Sequence, residues 1–186
     1  MRFVRGRVLD VGCGAGRVCL HLQQRGLEVV GIDSSSGAVE SCRKRGVTDV
    51  RLVALQELDE GLGTFDTILM LGNNFGLLGG ERAARRALRR LHAVARPGGR
   101  LIGQSYDPHS FEQPSQASYF ARNVEHGRLP GTLRVRVRYQ ECSTPWFDVT
   151  IFSPVELEAV LDGTGWRVRR TLPSGRGGYV AIVDRV

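Results

Sequence analysis

The stretch VLDVGCGAG, residues 8–16, is a short apolar run that passes directly into a loop with three alternating glycines. The run RVLDV, residues 7–11, is typical of a buried parallel strand, and GRVCLHLQQR, residues 16–25, predicts a helix directly after it. Glycines allow a tight turn and let a ligand approach the backbone, while the start of the helix presents free N–H groups. The stretch therefore predicts a strand–loop–helix unit that holds a nucleotide-like ligand.

Apolar runs and helix-like segments alternate through the following residues, which predicts a parallel sheet with right-handed crossovers. The long helix is expected to stop at the Pro97-Gly98-Gly99 turn. A fourth helix, from Ser153 to about Asp162, has a good N-cap with Pro at its first position. The further predicted strands are 28–32, 49–54, 65–71, 100–105, 166–172 and 178–184, and the further helices are 35–45 and 80–95.

Residues 107–152 interrupt this alternation and are the most individual part of the chain. Residues 107–130 are polar and are predicted to be irregular, whereas LRVRVRYQ, residues 133–140, alternates apolar and basic side chains as a half-exposed strand does. Residues 146–152 are predicted to be its partner strand. We expect one domain, residues 1–186, in which this insert forms a hairpin lid on the substrate side of the sheet.

The glycine spacing and one acidic residue narrow the class of ligand. A dinucleotide site needs GxGxxG, and Arg17 stands where the last glycine belongs, which argues against NAD and FAD. Asp33 lies at the end of the second strand, 17 residues after Gly16, where a carboxylate can accept hydrogen bonds from both ribose hydroxyls. Two alternatives stay open: an ordinary strand–helix turn for the loop, and a helix N-cap for Asp33.

Four segments resemble motifs of class I S-adenosylmethionine (SAM)-dependent methyltransferases: VLDVGCGAGR, VVGIDSS, FDTILMLGNNFGLL and LRRLHAVARPGGRLI. The resemblance covers residues 7–105 closely and 153–184 in pattern. It implies an α/β fold, a Rossmann-like three-layer sandwich with a mostly parallel seven-stranded sheet and an antiparallel last strand, plus a β-hairpin insert after strand five. It also implies methyl transfer from SAM, with S-adenosylhomocysteine as the product.

The resemblance further implies which residues hold the cofactor. The glycine loop would hold the methionine portion, Asp33 the ribose, and Leu71 to Asn74 would lie over the reacting methyl group. Because Ala54 stands where the family often has an acid, the adenine is expected against Leu55 or Gln56. The implied cofactor-binding residues are Asp10, Gly12, Cys13, Gly14, Gly16, Asp33, Ser34, Leu55, Gln56, Leu71 and Asn73.

Catalytic candidates are sought after strands four and five, since acceptor and base residues usually lie at the carboxyl edge of such a sheet. Asn74 is predicted to orient the substrate, with a simple turn residue as the alternative. His109 is the best candidate for a general base because imidazole titrates near neutral pH, with an exposed loop histidine as the alternative. Aromatic residues of the insert are expected either to line an acceptor pocket or to form a small core of their own: Tyr119, Phe120, Trp146 and Phe147.

The formal net charge is +7, and every basic residue except Lys44 is an arginine. Arginines are predicted on one side of the long helix and on one face of the strand 133–140: Arg82, Arg85, Arg86, Arg89, Arg90, Arg134, Arg136 and Arg138. We expect solvated faces, with RNA or an acidic metabolite as the alternative partner. The four cysteines lack CxxC spacing, so no metal is predicted and reduced thiols are expected.

The leading functional prediction is a cytoplasmic, small-molecule SAM-dependent methyltransferase without a membrane partner, since the chain shows no signal peptide or continuous apolar span. Alternatives are an RNA or protein methyltransferase and a non-catalytic subunit of the same fold that activates a partner. The chain begins seven residues before Val8, whereas the family usually carries one or two helices there. We therefore expect a truncated sequence, an open pocket, or a cover supplied by a homodimer or another partner, with weak SAM binding by the isolated chain.

Overall fold

The computed structural model describes residues 2–111 and 113–186, in which strands and helices alternate up to residue 106 and a separate insert follows. The strands are β1 Val8–Val11, β2 Val29–Asp33, β3 Val50–Leu52, β4 Phe65–Met70, β5 Ala95–Tyr106, β6 Thr132–Val135, β7 Arg138–Tyr139, β8 Cys142–Ser143, β9 Phe147–Thr150, β10 Trp166–Gly175 and β11 Gly178–Arg185. The helices are α1 Arg17–Gln23, α2 Ser36–Lys44, α3 Glu81–Ala93, α4 Pro114–Glu125 and α5 Pro154–Leu161. The predicted order of elements is therefore confirmed up to β5.

The central sheet has seven strands in the order β10-β11-β5-β4-β1-β2-β3. Strands β1 to β5 pair in parallel, whereas β11 runs antiparallel to both of its neighbours, β5 and β10. The last strand of the chain is thus the antiparallel one, which confirms the expected sheet. The strand order reverses between β1 and β4, and ligands of open α/β sheets bind at the carboxyl ends of strands at such a point.

Helices cover both faces of the sheet. Successive strand residues point to opposite faces, so Val8 packs with residues of α1 and α2, and Leu9 packs with residues of α3 and α5. Both side chains are fully buried. The fold is therefore the predicted Rossmann-like three-layer sandwich.

The start of α5 follows the sequence prediction in detail. Ser153 Oγ accepts a hydrogen bond from the Glu156 N–H at 3.2 Å, and Glu156 Oε2 accepts one from the Ser153 N–H at 2.7 Å. Pro154 occupies the first helical position, where its missing N–H has no partner to lose. This reciprocal cap fixes where the chain returns from the insert to the sheet.

The insert differs from its prediction in two respects. Residues 107–130 are not irregular, because they contain α4, and Asn123 Nδ2 at its end donates to the carbonyls of Pro130 and Thr132 at 2.7 Å each. The predicted strand 133–140 is divided: β6 pairs with β9, and β7 pairs with β8 as a separate short hairpin. The tight turn between β7 and β8 places Gln140 at φ +51°, which a single continuous strand would not allow.

The Pro97-Gly98-Gly99 segment does not end the long helix, which stops at Ala93. Instead it lies within β5, whose pairing with β4 shifts between the pairs Ala95–Phe65 and Arg100–Thr67. Between these two pairs the chain advances by five residues on β5 but by only two on β4, so the extra residues of β5 bulge out of the sheet. Gly98 lies in this bulge and has φ +72°.

The predicted arginine face of α3 is not uniformly solvated. Arg85 donates to the carbonyls of Ala159 and Asp162 at the end of α5, and Arg90 donates to the Leu58 carbonyl at 3.2 Å. These two arginines hold neighbouring elements, although Arg90 is itself exposed, as are Arg82, Arg86 and Arg89. Arg136, which lies between β6 and β7, places its guanidinium 5.0 Å from the Trp146 ring.

Within residues 2–111 and 113–186, no helix combines the length and apolar character that crossing a bilayer requires. Over the same ranges, no group of three or more His, Cys, Asp or Glu side chains is arranged to hold a metal ion.

Candidate functional site

A cavity of about 610 Å³ opens at the carboxyl ends of β1, β2 and β3. One wall comes from the sheet edge and its loops, and the other comes from the insert. Six residues predicted from the sequence line the cavity together: Gly12, Asp33, Ser34, Leu55, Gln56 and Asn74. The predicted binding edge of the sheet is therefore also where the structure provides room for a ligand.

The glycine loop combines one crowded position and one open position. Gly12 has φ +70°, and a Cβ there would lie 2.6 Å from Asn74 Nδ2 and 2.9 Å from Leu77 Cδ1. Gly14 has φ +56°, yet nothing lies within 4 Å of where its Cβ would be. Glycine is needed at both positions because L side chains rarely adopt this backbone conformation. The open side at Gly14 leaves the backbone accessible to a bound molecule.

Asp33 connects the loop to the start of α2. Its Oδ2 accepts a hydrogen bond from the Gly14 N–H at 2.9 Å, and its Oδ1 accepts one from the Ser35 N–H at 2.9 Å. The N-cap of α2 is Ser35, whose Oγ accepts from the Ala38 N–H at 3.3 Å, so the helix cap is not the role of Asp33. Each carboxylate oxygen keeps a further acceptor position for a ligand in the cavity.

Asn74 holds the end of β1 from the turn after β4. Its Nδ2 donates to the carbonyls of Val11 and Gly12, both at 2.9 Å. These two bonds use both donors of the amide group and leave its oxygen as an acceptor. The neighbouring Asn73 does not line the cavity; it has φ +67°, and its Oδ1 is buried without a hydrogen-bond partner among the described residues.

Asp10 lies under the loop rather than on the cavity surface. It is 3% exposed, and its Oδ2 accepts a hydrogen bond from the Cys19 thiol at 3.2 Å. Burial raises the pKa of Asp10 to about 6. Cys13, Gly14 and Gly16 likewise belong to the loop without lining the cavity, and Leu71 packs with the cluster on the α1 and α2 side.

His109 is not among the residues that line the cavity. Its side chain is 65% exposed, and its Nε2 lies 3.7 Å from Glu156 Oε1. The backbone N–H of His109 donates to Asp107 Oδ1 at 2.9 Å in a short turn after β5. This placement matches the alternative interpretation of an exposed loop histidine.

The insert supplies a wall that the sequence analysis left almost entirely unassigned. Of the four aromatic candidates, Phe147 lines the cavity, whereas the rings of Tyr119 and Phe120 pack against each other with centroids 6.3 Å apart. The insert residues on the wall are Val137, Thr144, Pro145, Phe147 and Asp148. No local sequence signal marks these positions, because their approach to the sheet depends on how the insert folds.

The family model described as "Methyltransferase domain" matches residues 8–99 of this chain. A solved SAM-dependent methyltransferase from Bacteroides fragilis, in complex with S-adenosyl-L-homocysteine, is similar with a TM-score of 0.83 and 30% identity. That similarity covers 100% of this chain and 74% of the Bacteroides chain. The match therefore extends over the whole sheet, the site and the insert.

Two curated relatives are similar over a shorter part. The carboxy-S-adenosyl-L-methionine synthase of Aliivibrio salmonicida is 34% identical over 105 residues, which is 51% of this chain and 42% of that protein. The glycine/sarcosine N-methyltransferase of Halorhodospira halochloris is 32% identical over 129 residues, 63% of this chain and 48% of that protein. The chain thus spans about half the length of the curated relatives it matches.

Proposed function

This chain belongs to the class I SAM-dependent methyltransferase family, and from that premise we propose that it transfers a methyl group from SAM to a small-molecule acceptor. One observation carries the proposal: a single cavity brings the glycine loop, Asp33 and Gln56 together at the carboxyl edge of the sheet. These three features come from the ends of β1, β2 and β3, so the fold itself assembles them.

The residues present fit the cofactor. Asp33 offers free acceptor positions for ribose hydroxyls, and Gly12 brings the glycine loop to the cavity wall, where the methionine portion would lie. Leu55 and Gln56 lie on the same cavity wall, where an adenine ring can pack and find a polar partner. When bound, SAM supplies a methyl group that its positively charged sulfur already makes electrophilic.

The chain's own residues position the reactants and exclude water. Asn74 fixes the carbonyls of Val11 and Gly12, which keeps the end of β1 and the loop in one arrangement. We further propose that the insert, residues 107–152, is the lid of this site, supported by the five wall residues it contributes. A lid raises the local concentration and alignment of an acceptor, which is the main task of the protein in such a transfer.

The charge of the cavity supports a neutral or cationic acceptor. Among the described lining residues, Asp33 and Asp148 are the charged ones, and no Arg, Lys or His is present. Recognition of nucleic acid relies on cations that contact phosphate, so this lining favours a small molecule over RNA. The Halorhodospira relative is likewise named for small acceptors, glycine and sarcosine.

The proposal is tested by calorimetry with S-adenosylhomocysteine, followed by transfer of a radiolabelled methyl group from SAM to a panel of small amines, alcohols and thiols. We expect Asp33→Ala to weaken binding by about tenfold or more, because two ligand hydrogen bonds are lost. Glu40→Ala is the matched control, since Glu40 is 65% exposed and pairs with Lys44 on the outside of α2. Equal binding by wild type and Asp33→Ala, or labelling of RNA and of no small molecule, would contradict the proposal.

The state of assembly is a separate proposal. We propose that a second copy or another partner covers the open part of the cavity, and sedimentation with and without S-adenosylhomocysteine tests this. A monomer that binds S-adenosylhomocysteine with submicromolar affinity would refute it, because such a monomer would need no cover.

A further inference from the structure

Three free thiols lie together at the glycine loop: Cys13 belongs to the loop itself, and Cys19 and Cys42 lie beside it in α1 and α2. Cys13 Sγ is 3.9 Å from Cys42 Sγ, and the Cys42 thiol donates to the Gly14 carbonyl at 3.0 Å. The Cys19 thiol donates to Asp10 Oδ2 at 3.2 Å. The side chain of Cys142 lies outside the described part of the chain. The three thiols thus connect the loop to α1 and α2.

Two glycines leave the space that these sulfur atoms occupy. A Cβ at Gly31 would lie 2.9 Å from Cys19 Sγ and 3.0 Å from Cys13 Sγ. A Cβ at Gly16 would lie 2.9 Å from Cys42 Sγ. Real Cβ atoms do not come this close to another atom, so a side chain at either glycine would push the sulfur atoms away. The two glycines therefore allow the three sulfur atoms to pack together, with Cys13 and Cys42 in direct contact.

We propose that Cys13 and Cys42 form an oxidisable thiol pair, and that their disulfide displaces the glycine loop and so weakens cofactor binding. The pairing of the thiols is independent of the function proposed above, whereas the effect on the cofactor rests on it. The oxidant is a peroxide, the chemical class that converts two neighbouring thiols to a disulfide.

The surroundings of the two thiols differ, and this sets the order of the reaction. Cys13 is half-buried, so a peroxide can reach its sulfur. Cys42 is fully buried, and this burial raises the pKa of its thiol to about 12. Because the thiolate is the nucleophile, Cys13 reacts first and Cys42 resolves the product.

The chemical balance is complete with one molecule of hydrogen peroxide. The Cys13 thiolate attacks one peroxide oxygen, the O–O bond breaks, and hydroxide leaves and takes up a proton to become water. The sulfur of Cys42 then attacks the sulfenic sulfur of Cys13, the S–O bond breaks, and a second water leaves with the Cys42 proton. Two thiols are oxidised to one disulfide while the peroxide is reduced to two waters.

The disulfide changes the position of the loop. The sulfur atoms must approach from 3.9 Å to about 2.05 Å. The Cys42 thiol also loses its proton, so its hydrogen bond to the Gly14 carbonyl is lost. Gly14 is the residue whose N–H binds Asp33, and a shift there disturbs both the loop and the carboxylate. The loss of one or two hydrogen bonds that hold the site corresponds to roughly a tenfold rise in the dissociation constant of the cofactor.

Peptide mapping tests the pairing directly. Trypsin places the four cysteines in four different peptides: 8–17, 18–25, 26–43 and 139–167. After brief treatment with hydrogen peroxide and alkylation of the remaining thiols, we expect peptide 8–17 linked to peptide 26–43, and the link should disappear after reduction. Cys142→Ser is the control variant and should keep this link. A link from 8–17 to 18–25, or peroxide products without any link between peptides, would overturn the proposal.

Calorimetry with S-adenosylhomocysteine tests the consequence. We expect oxidised wild type to bind S-adenosylhomocysteine about tenfold more weakly or worse, with full recovery after reduction. Cys42→Ser keeps a hydroxyl donor for the Gly14 carbonyl and should be insensitive to peroxide. Unchanged affinity of the linked protein would overturn the effect on the loop. If the reduced protein fails to bind at all, the proposed function is wrong, while the peptide link still decides whether the thiols pair.

Discussion

Asp10→Asn is expected to make the protein more stable above pH 6. Asp10 is buried under the glycine loop, and burial raises its pKa from 3.8 to about 6. A shift of about two pKa units corresponds to about 3 kcal/mol, since each unit is 1.36 kcal/mol. An asparagine keeps the oxygen that accepts from Cys19 and removes the buried negative charge.

The sign of the pH dependence follows from proton binding. Between pH 3.8 and 6 the folded state holds the Asp10 proton more tightly than the unfolded state, so the free energy of unfolding falls as the pH rises through this window. Below this window Asp10 is protonated in both states and does not lower the stability. Above it the free energy of unfolding is reduced by the whole cost of burying the ionised carboxylate. Wild type and Asp10→Asn should therefore differ little at pH 4 and by up to about 3 kcal/mol at pH 7.

Urea unfolding at a series of pH values measures this difference. The fluorescence of Trp166 is a suitable signal, because this side chain is buried and its indole N–H donates to the Leu88 carbonyl at 2.8 Å. Glu40→Gln removes an exposed carboxylate instead and should follow the wild-type profile. A difference between wild type and Asp10→Asn that is the same at pH 4 and pH 7 would refute the reasoning, because it would reflect packing rather than ionisation.

Three further substitutions test one contact within the site and two contacts that stabilise the fold around it. Asn74→Ala removes the donors for the Val11 and Gly12 carbonyls, so the stability should fall by about 1–3 kcal/mol and the dissociation constant for S-adenosylhomocysteine should rise about tenfold; unchanged calorimetry would contradict this. Gly103→Ala places a Cβ 2.0 Å from Phe75 Cε1, and we expect a loss of about 1–3 kcal/mol in urea unfolding. Ser153→Ala removes the cap of α5 and should cost about 1 kcal/mol without changing cofactor affinity.

The sequence predicts the central strands well because their residues are buried on both faces. FDTILM in β4 and VLDV in β1 are mostly apolar and almost wholly buried, as is typical of a central parallel strand. The insert has no such segment that is buried on both sides. Segment 114–125 mixes polar and aromatic residues without a clear apolar stripe, so α4 depends on tertiary contacts such as those of Asn123.

The same distinction applies to the site. Gly12, Asp33 and Gln56, which the sequence predicts to bind the cofactor, all line the cavity, since each lies at or after the end of a strand and the fold brings strand ends to one edge. Asp148 was not predicted, because it reaches the cavity only through packing of the insert on the sheet. Val149 Cγ1 lies 2.7 Å from where a Cβ of Gly76 would be, so the absence of a side chain at Gly76 permits this approach. Such long-range fits leave no pattern in the local sequence.

The glycine loop is held by side chains from three segments that lie outside the loop. Asp33 at the end of β2 binds the Gly14 N–H, Cys42 in α2 binds the Gly14 carbonyl, and Asn74 after β4 binds the Gly12 carbonyl. Flexible glycines have little conformational preference of their own, so these contacts rather than the loop sequence set the shape that meets the cofactor. We therefore expect a change in any one of these contacts to alter cofactor affinity, and the proposed effect of the Cys13–Cys42 disulfide depends on this expectation.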